Sequence, residues 1–221
     1  MIPRRVGIFG GSFDPVHQAH VALAQAALQA LQLDELRWIP AGSPWQKART
    51  ITDAVHRVAM VQAAMAGEPR FVLDRIEVDR NGPSYTLDTV RALTSGRDGA
   101  RDGPKDATPD GPQTQAQLPG GTQWFLIIGQ DQYSSLHTWR HWQELLSLVT
   151  LAVANRPGDN RAPHADVQSL AHQMVPLPML DISSTQIRQR VAAGQDITPL
   201  VPPAVARYIE LHGLYRSPAG S

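Results

Sequence analysis

Short apolar runs alternate along this chain with longer stretches whose apolar residues recur at helical spacing. Residues 6–9, Val-Gly-Ile-Phe, form a continuous apolar run closed by Gly10 and Gly11, which predicts a buried strand ending in a tight turn. Residues 18–31 carry Ala24, Ala27, Leu28 and Leu31 on one face with no Gly or Pro inside, which predicts a helix. Residues 36–39 predict a second strand, stopped by Pro40-Ala41-Gly42. Residues 53–66 predict a second helix, with Thr52 or Asp53 as N-cap and Gly67 as its stop. Residues 71–78 alternate loosely, as one strand or a pair of short ones, and 85–93 read as helix. Apolar runs at 124–128, 148–154 and 174–177 predict three further strands. Two helices close the chain. One starts near Ser183 and stops at Gly194; the other begins at Pro202-Pro203, sets Val201, Val205, Tyr208 and Ile209 on one face, and stops at Gly213.

Strands that alternate with helices pair in parallel through right-handed crossovers, so the pattern predicts an α/β fold: a doubly wound, mostly parallel sheet with C-terminal helices. One segment breaks the alternation. Residues 95–121 are rich in Gly, Pro, Asp, Gln and Thr and nearly free of apolar side chains, so they cannot offset their own ordering entropy. They are read as a disordered surface insertion and not as a boundary, because one sheet needs strands from both sides. The expected organisation is a single domain over residues 1–216 with a short tail at 217–221.

Charge and composition then narrow the partners. Lys plus Arg number 20 and Asp plus Glu number 20, so no net charge draws the protein toward nucleic acid or an anionic membrane, and an anionic ligand must be held by a local site. The absence of cysteine excludes a disulfide scaffold and thiolate metal ligands. No leader-like start and no run of about 18 apolar residues is found, so neither a signal peptide nor a membrane span is expected, and a cytoplasmic location is. The sequence leaves the oligomeric state open.

The turn after the first strand reads Gly10-Gly11-Ser12-Phe13-Asp14-Pro15-Val16-His17-Gln18-Ala19-His20. Ligands of an open parallel sheet bind beyond the C-terminal ends of its strands. There, glycines allow close backbone approach, and the next helix points its positive N-terminal pole at the same place. His17 and His20 fall on one face of the first helical turn. Together these features predict a cradle for a polyphosphate that needs no lysine. The turn is neither a Walker A loop nor a Gly-x-Gly-x-x-Gly fingerprint. Two such histidines could equally be ordinary helix-surface or capping residues. No third ligand is evident nearby for a metal site.

A second constellation lies near the C-terminus, Ile182-Ser183-Ser184-Thr185-Gln186-Ile187-Arg188. Its three hydroxyl residues are N-cap candidates, and Arg188 follows one turn later as a forked donor for phosphate. A plain capped surface helix would carry the same residues.

Taken together, the His-x-x-His turn and the Ile-Ser-Ser-Thr-x-x-Arg helix start resemble the signatures of the nucleotidyltransferase superfamily, whose fold is a Rossmann-like α/β sheet. Within it the chain resembles the bacterial nicotinate-mononucleotide adenylyltransferases over nearly its whole length. The further segments that match are Asn81-Gly82-Pro83-Ser84-Tyr85-Thr86, Ile127-Ile128-Gly129-Gln130-Asp131, His137-Thr138-Trp139, Asn155-Arg156-Pro157-Gly158 and Gly213-Leu214-Tyr215. One departure is the loop Ser43-Pro44-Trp45-Gln46-Lys47, where relatives often carry a histidine just before the lysine.

The resemblance implies transfer of AMP from ATP to nicotinate mononucleotide with release of pyrophosphate, in NAD biosynthesis, with Mg2+ carried on ATP. It implies that His17, His20 and Arg188 serve catalysis. It implies that Gly10, Gly11, Ser12, Phe13, Gly129, Asp131, Ser183 and Ser184 join them in binding ATP. Lys47, Tyr85, Thr86, Trp139 and Arg156 are the implied mononucleotide residues. Asp131 could instead cap the following helix, and Trp139 could be a core aromatic. The competing readings are a sister adenylyltransferase acting on phosphopantetheine, a cytidylyltransferase, a preference for the amidated mononucleotide, a non-catalytic nucleotide sensor, and a fragment of a class I aminoacyl-tRNA synthetase.

Overall fold

The computed structural model describes residues 2–42, 51–95, 121–155, 163–168, 170–177 and 180–216. Strand β1 (Arg4–Gly11) leads into helix α1 (Gln18–Ala30), followed by β2 (Glu35–Pro40), α2 (Ala54–Ala64), β3 (Phe71–Leu73) and α3 (Thr86–Thr94). Next come β4 (Thr122–Gly129), α4 (Gln130–Ser134), a 3-10 turn (Leu136–Thr138), α5 (Trp142–Leu148) and β5 (Thr150–Asn155). Helix α6 (Ala165–Gln168), β6 (Gln173–Pro176), α7 (Ser184–Ala192) and α8 (Pro203–Leu211) complete the order.

All six strands are parallel, in the order β3-β2-β1-β4-β5-β6. The expected doubly wound α/β sheet is thus the observed one. Both faces are covered, which is why the central strands read as continuous apolar runs. Phe9, Trp38 and Ile127 face a core closed by α1, α2, α7 and α8, through residues such as Leu28, Val61, Ile187 and Val205. Val6, Ile8, Leu126 and Ile128 face the opposite core, against Leu87 and Val90 of α3 and Leu145 of α5. Neighbouring residues of β1 and β4 therefore serve opposite layers, as the two-residue repeat of a strand requires.

Three local expectations change. The segment 71–78 is strand only as far as Leu73. Asp74 then turns the chain by accepting the Ile76 N–H on its own carboxylate at 3.0 Å, a side-chain hydrogen bond that competes with the ladder. Leu148 ends a helix, and β5 starts at Thr150. Helix α4 was anticipated only as the helix following Asp131, without bounds, and α5 and α6 were not expected; the three have 5, 7 and 4 residues, too short for an apolar stripe to show. Asp53 is the N-cap of α2, accepting the Val55 N–H at 3.4 Å. Most of the expected insertion, residues 96–120, lies outside the described residues, yet β4 beyond it pairs directly with β1 before it.

Candidate active site

The strand order reverses between β1 and β4: connections from β1 run outward to β2, those from β4 run the other way to β5. At such a switch point the flanking loops part and leave a crevice at the C-terminal strand ends. A cleft of about 680 Å³ occupies that place, with Gly10, Gly11 and Ser12 beyond β1 and Gly129 at the end of β4 on its wall.

His17 is the N-cap of α1, with extended backbone (φ −148°, ψ 173°), and the residue is only 4% exposed. Its N–H donates to Nδ1 of His20, in the third helical position, at 3.2 Å. An N–H can donate only to an unprotonated ring nitrogen, so the neutral His20 ring carries its proton on Nε2. The imidazoles stack with centroids 3.7 Å apart and planes at 30°. Both line the cleft. Behind them, Phe13 meets His20 edge-on at 5.2 Å and Phe9 at 5.5 Å. Phe13 is 1% exposed and its ring backs His20 beneath the cleft wall, which leaves its backbone for the expected contact with the nucleotide.

The later helix start joins the same turn. Ser183, the N-cap of α7, accepts the Gln186 N–H at 3.2 Å. Ser184 Oγ donates to the Pro15 carbonyl at 2.9 Å, and Arg188 Nη1 donates to the Asp14 carbonyl at 2.6 Å. Arg188 Nη2 also donates to Thr185 Oγ1 at 3.0 Å. Ser183 and Ser184 line the cleft; Arg188 is tied to the turn just behind it. Two helix N-termini separated by more than 160 residues of sequence therefore open onto one crevice (Ser184 and Pro15 are 169 apart).

Sequence reasoning missed what holds this turn in place. Arg57 of α2 is 1% exposed and gives its donors to three carbonyls: Nε to Thr52 at 2.8 Å, Nη1 to Ser12 at 3.0 Å and Nη2 to Gly42 at 3.3 Å. Asp14, fully buried, accepts the Tyr215 O–H on Oδ1 at 2.8 Å and the Thr52 N–H on Oδ2 at 3.4 Å. Burial pulls the Arg57 pKa below its usual value, and the Asp14 carboxylate opposes that pull. Burial likewise pushes the Tyr215 hydroxyl up. The signal for Arg57 was in the sequence: it shares the apolar stripe of α2 with Val61 and Ala64, four and seven residues on, where a charge must have buried partners.

The far end of the cleft is built from shorter pieces. Tyr85 is the N-cap of α3 and its side chain does not cap the helix, so among the described residues no side chain takes up the N–H groups of the first turn beginning at Thr86. Tyr85, Thr86 and Trp139 line the cleft, and Trp139 also packs half-buried against the core of that face. Arg140, which was not singled out from the sequence, lines it too, with its guanidinium 5.1 Å from the Tyr85 ring centroid. Asp131 lies on the wall beside Gly129 and is not the cap of α4. Gln132 takes that part by accepting the Gly129 N–H on Oε1 at 3.3 Å. Lys47 and Arg156 lie outside the described residues.

A crevice at a sheet switch point, two helix poles and a histidine pair is the equipment of a nucleotidyltransferase, and the family of cytidylyltransferase-like proteins matches residues 8–190. The relatives resolve the group further. A protein of Methylibium petroleiphilum named "Probable nicotinate-nucleotide adenylyltransferase" is 47% identical, covering 98% of this chain and 95% of its own. One of Bordetella pertussis with the same name is 41% identical over 96% and 98%. The fold matches Plasmodium falciparum nicotinic acid mononucleotide adenylyltransferase complexed with APC, with a TM-score of 0.72 at 16% identity over 96% of this chain and 97% of that one. This chain belongs to the nicotinate-nucleotide adenylyltransferases.

Proposed function

We propose that the cleft joins the adenylyl group of ATP to nicotinate mononucleotide, giving nicotinate adenine dinucleotide and pyrophosphate, with the triphosphate held between the starts of α1 and α7. The observation that carries this reading is the bonding of α7 onto the β1–α1 turn through Ser184 to Pro15 and Arg188 to Asp14. It aims two partial positive poles at one place.

In the reaction a phosphate oxygen of the mononucleotide forms a bond to the α-phosphorus of ATP, and the bond from that phosphorus to the β-bridging oxygen breaks. The nucleophile is already ionised at neutral pH, so no base is required. Alignment of two mutually repelling anions and neutralisation of growing charge supply the rate. His20 offers its Nε2–H to a phosphate oxygen, fixed in that tautomer by the His17 N–H. His17 flanks it. Gly10, Gly11 and Ser12 pass under the phosphates, Ser183, Ser184 and Arg188 hold them from the other side, and Asp131 accepts from a ribose hydroxyl. Tyr85, Thr86 and Trp139 receive the pyridine ring. Among the described residues no group of three His, Cys, Asp or Glu could hold a metal ion. The reading therefore has Mg2+ arrive with ATP, held by phosphate and water, where it offsets charge.

Pyrophosphate release with ATP, Mg2+ and a panel of acceptors tests this. Release is expected with nicotinate mononucleotide and not with phosphopantetheine. ATP binding with no release for any acceptor would leave a sensor.

A further inference from the structure

We propose that Arg140 is a specificity-determining residue that reads the carboxylate of the pyridine ring and so favours the acid mononucleotide over its amide; this rests on the proposed function. Arg140 follows Trp139 directly and lines the cleft with it. Its guanidinium is held 5.1 Å from the Tyr85 ring centroid, a stacking geometry that suits arginine and fixes where its donors point. Tyr85 is in turn the N-cap of α3, whose first N–H groups no side chain among the described residues takes up. A cation and a positive helix pole thus flank one spot beside an aromatic platform.

Among the described residues no carboxylate is paired with Arg140. Two acidic residues line the cleft, Asp131 and Glu77, and Glu77 accepts the Thr89 hydroxyl at 2.9 Å. The anion Arg140 awaits is not the mononucleotide phosphate. That group must meet the α-phosphorus at the glycine turn and the histidine pair, whereas Arg140 stands with the ring-binding residues. Guanidinium has five donors and no acceptor. It satisfies both oxygens of a carboxylate, but it can take only the carbonyl oxygen of an amide and leaves the amide NH2 facing further donors.

The test is steady-state kinetics of the full-length enzyme and of Arg140→Gln and Arg140→Lys, at saturating ATP and Mg2+, with the acid and the amide mononucleotide as acceptors. Direct calorimetric binding of each acceptor accompanies it. Loss of a hydrogen bond to a charged group predicts that Arg140→Gln raises KM and Kd for the acid about tenfold to a hundredfold. The KM for the amide is expected to move far less, the KM for ATP to stay put, and Arg140→Lys to recover part of the loss. An equal loss for both acceptors would overturn the proposal, because it would place Arg140 on the shared phosphate or make it only a prop for Tyr85. No change for either acceptor would also overturn it. A wild-type enzyme that turns over neither mononucleotide would instead overturn the proposed function, and this inference with it.

Discussion

At the end of the cleft proposed for the triphosphate, the parts are bonded to one another through backbone. His17 N–H meets His20, Ser184 and Arg188 meet two consecutive carbonyls of the turn, and Arg57 ties Ser12, Gly42 and Thr52 together from below. At the end proposed for the pyridine ring, the wall is shared by side chains on separate short segments, with Arg140 stacked on Tyr85. The difference matches two tasks. Transition-state stabilisation needs donors whose geometry costs no reorganisation when charge develops, so their supports are backbone and buried. Choosing between an acid and an amide needs only a difference in ground-state contacts, which exposed side chains can supply.

The sharpest way to break the comparison is at His20. Losing one donor aimed at the transition state lowers turnover by about 10²–10³. His20→Ala is therefore expected to reduce kcat by that order while the KM for the mononucleotide changes little. It also releases the His17 N–H from its acceptor, so a destabilisation of about 0.5–2 kcal/mol should appear in a denaturant titration. A variant with near-normal kcat would remove His20 from the reacting end.

A smaller effect separates structure from function within one dipeptide. A Cβ on Gly11 would lie 2.9 Å from the buried Phe13 ring, so Gly11 is glycine because of its own chain. A Cβ on Gly10 would meet nothing nearer than the Ile39 carbonyl at 4.0 Å, so the fold alone does not require glycine there. Gly11→Ala is expected to cost about 1–3 kcal/mol of stability through overpacking. Gly10→Ala is expected to leave the melting temperature in place and raise the KM for ATP, because its methyl group occupies the cleft. Equal melting temperatures with unchanged ATP kinetics for both would contradict the assignment of the turn.

The same contrast sets what the sequence could tell. β1, the glycine turn, His17 and His20 are contiguous, so a strand period, a glycine pair and a helix period pick out one wall of the cleft in a single reading. Ser183 and Ser184 were legible as a cap, but their approach to Pro15 is a long-range contact that no local pattern contains. Tyr85, Thr86 and Trp139 came from family resemblance alone, since they sit on two elements joined only by the fold. Arg140 carries no periodic signal, being one exposed arginine before a seven-residue helix. Phe13 combines a backbone at positive φ (47°) with a buried ring, and a motif read as letters does not show that.

The smallest predicted effect concerns Glu77, a residue of the cleft wall. Burial pushes its pKa up, against the opposing pull of the Thr89 hydroxyl and the Arg80 charge. The folded-state value then exceeds the unfolded one, so the contribution of this group to stability is full below the ordinary glutamate pKa, about 4.3, and is lost as pH rises through the raised value. Glu77→Gln cannot ionise and should remove that loss. Melting temperatures of the variant and the wild type, compared between pH 4 and pH 8, should diverge in favour of the variant as pH rises. Ionised Glu77 also adds negative charge on the wall proposed to receive the pyridine carboxylate, so the KM for the acid mononucleotide should climb over the same interval in the wild type and stay flatter in Glu77→Gln. At the end proposed for the triphosphate, imidazole and ATP phosphate ordinarily change charge within this interval, so the check there is a difference: Glu77→Gln should leave the pH profile of the KM for ATP as it is in the wild type. If the variant alters that profile, the two ends share one titrating group and the division between them fails.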